Sequence, residues 1–186
     1  MKKTVVAFFV LTFFFSRPLS ARQGFSIGLG PVGNIYLIDT IPVLDPGVGG
    51  FMSFEYRFHE QVAFETAFVM TTQDASRPTD RDIIFLGMPV FDIKLYFLSG
   101  DPKFDPYAGT GIGLYWLTEG SLSNNSGGTG MGAQLDLGFD YYLTDFISLG
   151  FEGVFRSIAF VTDFGTPSVS QASLPYSLLG KASFHF

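Results

Sequence analysis

The chain has 186 residues, a formal net charge of −6, 47% apolar and 15% charged residues, 22 Gly, 23 Phe and no Cys. That length suits one domain. The missing cysteine excludes disulfide scaffolds, Cys zinc sites and thiol catalysis, the acidic balance argues against a nucleic-acid surface, and an apolar chain with few charges is not disordered.

Lys2 and Lys3 open the sequence, the eleven-residue stretch Val5–Phe15, apolar but for Thr12, follows, and Ser16, Arg17 and Pro18 lead to small residues at Ser20 and Ala21. This is the order of a secretory signal, and eleven residues fall short of the ~20 that a membrane helix needs. A signal peptide over 1–21 and a single domain over 22–186 are expected, with the cut within a residue or two of Ala21. Losing Lys2, Lys3 and Arg17 leaves eight basic against 17 acidic residues, a net charge of −9. No later segment approaches 18 uncharged apolar residues, so helical spanning is excluded.

From Phe25 onward the pattern has period two, the signature of strands. Phe25, Ile27 and Leu29 alternate with Ser26, Gly28 and Gly30. Met52, Phe54, Tyr56 and Phe58 alternate with Ser53, Glu55 and Arg57, and Val62, Phe64, Thr66, Phe68 and Met70 with Ala63, Glu65 and Ala67. Phe91, Ile93, Leu95 and Phe97 face Asp92, Lys94 and Tyr96; Ala108, Thr110, Ile112, Leu114 and Trp116 face Gly109, Gly111, Gly113 and Tyr115. Leu135, Leu137, Phe139 and Tyr141 alternate with Gln134, Asp136, Gly138 and Asp140. Ile147, Leu149, Phe151 and Phe155 alternate with Ser148, Gly150, Glu152 and Arg156. Last come Tyr176, Leu178, Ala182, Phe184 and Phe186 against Ser177, Lys181, Ser183 and His185. Eight strands are expected. Long connections over 34–46, 73–81, 118–130 and 161–173 alternate with short ones over 59–61, 99–105 and 144–145, the rim asymmetry of an outer-membrane barrel.

Charge partition decides which face meets lipid. Glu55 with Arg57, Asp92 with Lys94, Asp136 with Asp140, and Glu152 with Arg156 each share a parity, an agreement with chance odds of about 1 in 16 if each second charge falls at random. The opposite parity carries no charge. A soluble barrel would place those large apolar side chains inside, yet an eight-stranded interior is just wide enough for ordinary side chains, and the charged parity is also the Gly, Ser and Ala parity. Small residues are expected inside and large aromatics outside. Tyr56, Phe58, Phe97, Phe139, Tyr141, Phe184 and Phe186 near the short turns, and Trp116, Phe155 and Tyr176 toward the long loops, then form two interfacial girdles.

The signal, the eight hairpin strands, the segments Pro89–Phe97 and Pro106–Gly113, and the final Phe184-His185-Phe186 together resemble the OmpA/OmpX-like outer-membrane β-barrel family over essentially all of 22–186. The resemblance implies an eight-stranded antiparallel up-and-down transmembrane β-barrel of a Gram-negative outer membrane, among lipids and lipopolysaccharide. It also implies that Phe184 and Phe186 are read by the barrel assembly machinery. Gly180 departs from the family spacing: it lies four residues before Phe184, where the family usually has three.

Inward-pointing charges are expected at Glu55, Arg57, Glu65, Asp92, Lys94, Asp136, Asp140, Glu152, Arg156 and Lys181, mostly in the half nearer the short turns. They read either as a cation-preferring pore lining or as an internal ion-pair plug. The plug is preferred because unpaired buried charges cost several kcal/mol, with Arg57, Lys94 and Arg156 each expected to bridge two carboxylates. A lipid A-modifying enzyme would need a His or Ser pair at the outer leaflet, but His59 and His185 both fall at short-turn ends, and no spacing sets a nucleophile beside a base on one strand face. Two distant His without Cys make no metal site, and no cofactor is expected. The long loops carry Asp39, Asp45, Asp74, Asp80, Asp82, Glu119 and Asp163 against Arg77 and Arg81, read as solvated surface; any extracellular ligand is open. A non-catalytic structural or surface-interaction role is expected, ahead of a narrow pore or a conduit for small hydrophobic solutes, and ahead of the enzyme.

Overall fold

The computed structural model describes residues 22–39, 43–77, 81–100, 102–120, 127–162 and 169–186; the expected signal peptide lies outside them. The described residues are almost entirely strand: β1 (Gly24–Asp39), β2 (Val43–Leu44), β3 (Gly47–His59), β4 (Val62–Arg77), β5 (Arg81–Tyr96), β6 (Phe104–Glu119), β7 (Gly127–Thr144), β8 (Ile147–Thr162) and β9 (Val169–His185). Consecutive long strands pair antiparallel from β3 to β9, and β1 pairs with both β3 and β9, so the sheet closes on itself. β2 pairs only with the outer end of β4 and continues the line of β3. The wall therefore has eight positions, as the alternation predicts. Closure leaves no sheet edge, which a lipid-facing β-structure requires because lipid offers no hydrogen bonds to backbone groups.

The strands run further than the sequence suggests. β1 reaches Asp39, β4 reaches Arg77 and β9 starts at Val169, all inside stretches expected to be connections. Past the apolar band the wall meets water, so hydrophobic alternation fades while the backbone ladder continues. The outward parity marks where that happens: its first charges are Asp74 and Asp82, register partners at the outer ends of β4 and β5. On β6 the outward band runs from Phe104 to Trp116. Thirteen residues at ~3.3 Å each, tilted by about 40°, span roughly 30 Å, enough for the ~25 Å apolar band of such barrels.

In β5 a register shift between Gly87 and Val90 changes parity. Ile83 and Phe85 point inward before it, and Val90, Asp92 and Lys94 after it. The stretch Ile83–Phe91 is apolar on both parities because its inward side chains, Ile83, Phe85 and Val90, join the apolar interior.

The β1–β9 seam closes the barrel, and at Gly30 the two backbones come too close for a side chain: a Cβ there would overlap the carbonyl oxygen of Gly180. Because that obstacle is backbone, the strands themselves would have to part. Gly30→Ala is expected to lower stability by about 1–3 kcal/mol, the usual cost of overpacking. The check is the urea midpoint of the refolded barrel in detergent.

Candidate functional site

All ten charges assigned inward by parity are buried in the barrel. β3 supplies Glu55 and Arg57, β4 Glu65, β5 Asp92 and Lys94, β7 Asp136 and Asp140, β8 Glu152 and Arg156, and β9 Lys181. Lys94, with no exposed surface, is the centre of the cluster. Its Nζ lies 2.8 Å from Glu65 Oε1 and 2.8 Å from Glu152 Oε2. The Tyr107 hydroxyl donates to the same Glu152 oxygen at 2.5 Å, and Lys181 Nζ is 3.1 Å from Asp140 Oδ1. Tyr96 OH lies 3.0 Å from both Glu55 oxygens and 3.2 Å from Asp140 Oδ2. Nearer the short turns, Arg57 Nη1 donates to Asp105 Oδ2 at 2.8 Å while its Nε donates to the Glu60 carbonyl, and its guanidinium stacks 3.7 Å from the Tyr96 ring centroid. Arg22 closes the mouth over Tyr142.

Of the three expected double bridges, only Lys94 makes one. Arg57 pairs with a single carboxylate, Asp105, and spends its other nitrogens on the backbone of the Glu60 turn. Among the described residues Arg156 meets no carboxylate: it donates to Gln134 Oε1 at 3.0 Å and to the Ser177 hydroxyl, which in turn donates to Asn34. The reason is height. Arg156 is the register partner of Gln134 and lies at the upper edge of the ionic half, where the wall offers amides and hydroxyls. Gln134 also donates to Asp92 and accepts from Tyr115, so it joins Arg156 to the carboxylates below.

Above this layer the interior is mainly apolar, with Thr71, Gln73 and Glu119 buried toward its outer end. Val32, Phe51, Val69, Ile83, Phe85, Leu117, Val154, Ile158, Phe160 and Leu179 form one cluster with Tyr115 and Ala67. The expectation of small residues inside and large aromatics outside is therefore corrected: Tyr96, Tyr107, Tyr115, Tyr142, Phe51, Phe85 and Phe160 are all buried within. Glycines on neighbouring strands make the room. A Cβ at Gly138 would lie 2.7 Å from Tyr107 Cζ, and Cβ atoms at Gly87 and Gly132 would each lie 3.1 Å from the Tyr115 ring.

Asp105, Tyr96, Tyr107, Tyr115 and Gln134 belong to the network although the charge pattern alone does not single them out. Asp105 shares parity with Tyr107 and Gly109, a signal hidden by its place at the end of the expected 99–105 connection. Glu119, assigned to a solvated loop, is instead buried at the end of β6; Asp45, Asp74 and Asp82 are exposed. Asp80 and Asp163 lie outside the described residues. Gly180 sits in the outer wall with Phe184 and Phe186 exposed below it.

One nucleophile does meet a base. Ser148 Oγ lies 2.8 Å from His185 Nε2, across β8 and β9 at the short-turn rim, a pairing between two strands that spacing along one strand does not reveal. The hydroxyl is fully buried and the imidazole packs 4.9 Å from the Tyr142 ring. His59 accepts a local hydrogen bond from Gln61 N in the β3–β4 turn. Among the described residues no group of three or more His, Asp or Glu side chains could hold a metal ion.

No family model matches the chain, and no curated protein matches it by sequence. Solved structures do match by shape. Neisserial surface protein A superposes with a TM-score of 0.68 at 14% identity, covering 88% of this chain and 98% of that one. The outer membrane protein AlkL, determined in lipid bilayers, gives 0.60 at 16% identity, covering 92% and 94%. Ail of Yersinia pestis, in complex with the heparin analogue sucrose octasulfate, gives 0.55 at 12% identity, covering 87% and 99%. Closed by eight antiparallel strands, charged within and apolar without, the chain has the fold of the OmpA/OmpX-like small outer-membrane β-barrels.

Proposed function

We propose that this chain is an integral protein of a Gram-negative-type outer membrane, exported by a signal peptide cleaved near Ala21. In this reading it is a non-catalytic structural or surface-interaction barrel whose interior ion-pair network closes the lumen. The single observation that carries it is the partition of charge: every buried ionic group points inward, and the outward parity between the aromatic girdles has none. A charge on that face costs ~2–4 kcal/mol at the bilayer midplane, so a bare apolar face is what lipid selects. Outer-membrane lipids and lipopolysaccharide are its surroundings, and the barrel assembly machinery reads Phe184 and Phe186. The exposed Asp45, Asp74 and Asp82 at the loop rim favour cationic partners over polyanions such as the heparin analogue carried by Ail.

Purified protein in planar bilayers tests the closed lumen. No steady conductance of defined size is expected from the wild type, and Arg156→Ala is expected to leave it closed because the Lys94 bridges lie below it. A stable open level in the wild type would overturn the plug. The apolar outer half of the interior supports a second reading, a conduit for small hydrophobic solutes, which uptake of such a compound by intact cells with and without the gene decides. A lipid A-modifying activity is the third reading, and an unchanged lipid A mass spectrum on deletion is expected.

A further inference from the structure

Three inward carboxylates sit side by side in the wall. Glu55 on β3 is the register partner of Glu65 on β4, and Glu65 is the partner of Asp92 on β5. Directly opposed side chains have Cβ atoms ~4.5–5.5 Å apart, and like charges so placed are destabilising. Each of the three has a donor: Tyr96 for Glu55, Lys94 for Glu65 and Gln134 for Asp92. Asp136 on β7 has none. It is 1% exposed, and neither of its oxygens finds a hydrogen-bond partner among the described residues; Glu65 Oε2 is in the same position.

The charges that act most on Asp136 are Asp92, Glu152, Lys94 and Glu65, three acids against one base, and Lys94 is already committed to two of those acids. Beyond them β3 contributes Glu55 and Arg57, β8 also Arg156, and β9 Lys181; Arg57 is held by Asp105 and Lys181 by Asp140. From β6 the register neighbours are Gly109 and Gly111, with the Asp136 carboxylate filling the space over the first and the Asp92 carboxylate the space over the second; the buried Tyr107 and Tyr115 hydroxyls of β6 donate to Glu152 and Gln134, and Asp105 lies further toward the mouth. β1 presents no charge here. A buried carboxylate with no compensating charge costs several kcal/mol, so the packed interior is short of positive charge.

We propose that the barrel interior binds one singly charged cation at Asp136, taken from solution as the chain folds. A chelated divalent metal does not fit, because no three ligating side chains converge among the described residues. The Asp136 carboxylate lies over Gly109 and is 1% exposed, so a monovalent ion held there enters without its water shell. A proton and a sodium ion share that chemistry, and the experiment separates them.

The wild-type chain is refolded from urea into detergent micelles in weakly buffered solution at neutral pH. Proton uptake is followed with an indicator dye, and sodium binding by the linewidth of its NMR signal against potassium as control. About one cation per chain is expected, either as protons whatever the salt, or as sodium without a pH change. Asp136→Asn, which keeps the shape and removes the charge, is expected to take up none and to unfold at higher urea. Folding of the wild type with uptake of neither ion overturns the proposal, and so does Asp136→Asn taking up as much as the wild type. The wild-type stoichiometry decides the matter even if the variant does not fold.

Discussion

Leu135→Arg is expected to cost the folded barrel about 2–4 kcal/mol, the depth-dependent penalty of an arginine near the bilayer midplane. Leu135 lies on the outward parity of β7, 61% exposed, between the Tyr141 girdle and the loop rim. At 1.4 kcal/mol per tenfold, this lowers the folding equilibrium in lipid vesicles by a factor of about 30 to 1,000. The same change at Tyr141, in the girdle beside the short turn, is expected to cost only about 0–1 kcal/mol because the long side chain reaches water there. A soluble barrel would give the reverse ordering of merit: an exposed leucine is a liability in water, and arginine at 135 would be neutral or helpful. Urea titrations of both variants in vesicles check the gradient, and equal effects at the two positions would contradict a lipid-facing wall.

Lys94→Met carries the second large effect. The lysine is wholly buried and holds Glu65 and Glu152 at 2.8 Å each. Removing it leaves two carboxylates facing each other with no cation between them. Breaking one side of a buried ion pair typically costs ~3–5 kcal/mol, because the remaining charge is uncompensated. The double variant Lys94→Met/Glu65→Gln removes one of the stranded charges and leaves Glu152 its Tyr107 donor, so it should regain more than half of the loss. Denaturation midpoints of the four members of this cycle measure the coupling. A loss below about 1 kcal/mol for Lys94→Met is the value of a solvated pair, and would mean that water fills the lumen.

The wall was legible in the chain because a strand writes its two faces in alternate residues. Glu55 with Arg57 and Asp92 with Lys94 need only their own strand to be placed, and both pairs point inward in the structure. Contacts across strands were not legible in the same way. Whether Arg156 meets a carboxylate depends on its register with β7, and that register sets it beside Gln134. Tyr107 and Tyr115 share parity with the inward glycines, yet side-chain volume argued against placing aromatics inside. The compensation lies on other strands, at Gly138 for Tyr107 and at Gly87 and Gly132 for Tyr115. The Ser148–His185 contact is hidden for the same reason, joining residues 37 positions apart through the β8–β9 ladder. Strand ends past the membrane lose their alternation because both faces of the wall meet polar surroundings, and there the sequence reads as loop while the backbone remains paired.

Membrane fractions separated by density and run on a denaturing gel, unboiled beside boiled, test the lipid-embedded barrel most directly. The protein is expected in the outer-membrane fraction, with the unboiled band displaced from the boiled one because a closed barrel resists the detergent until heated. A soluble protein whose band does not move on boiling would contradict it.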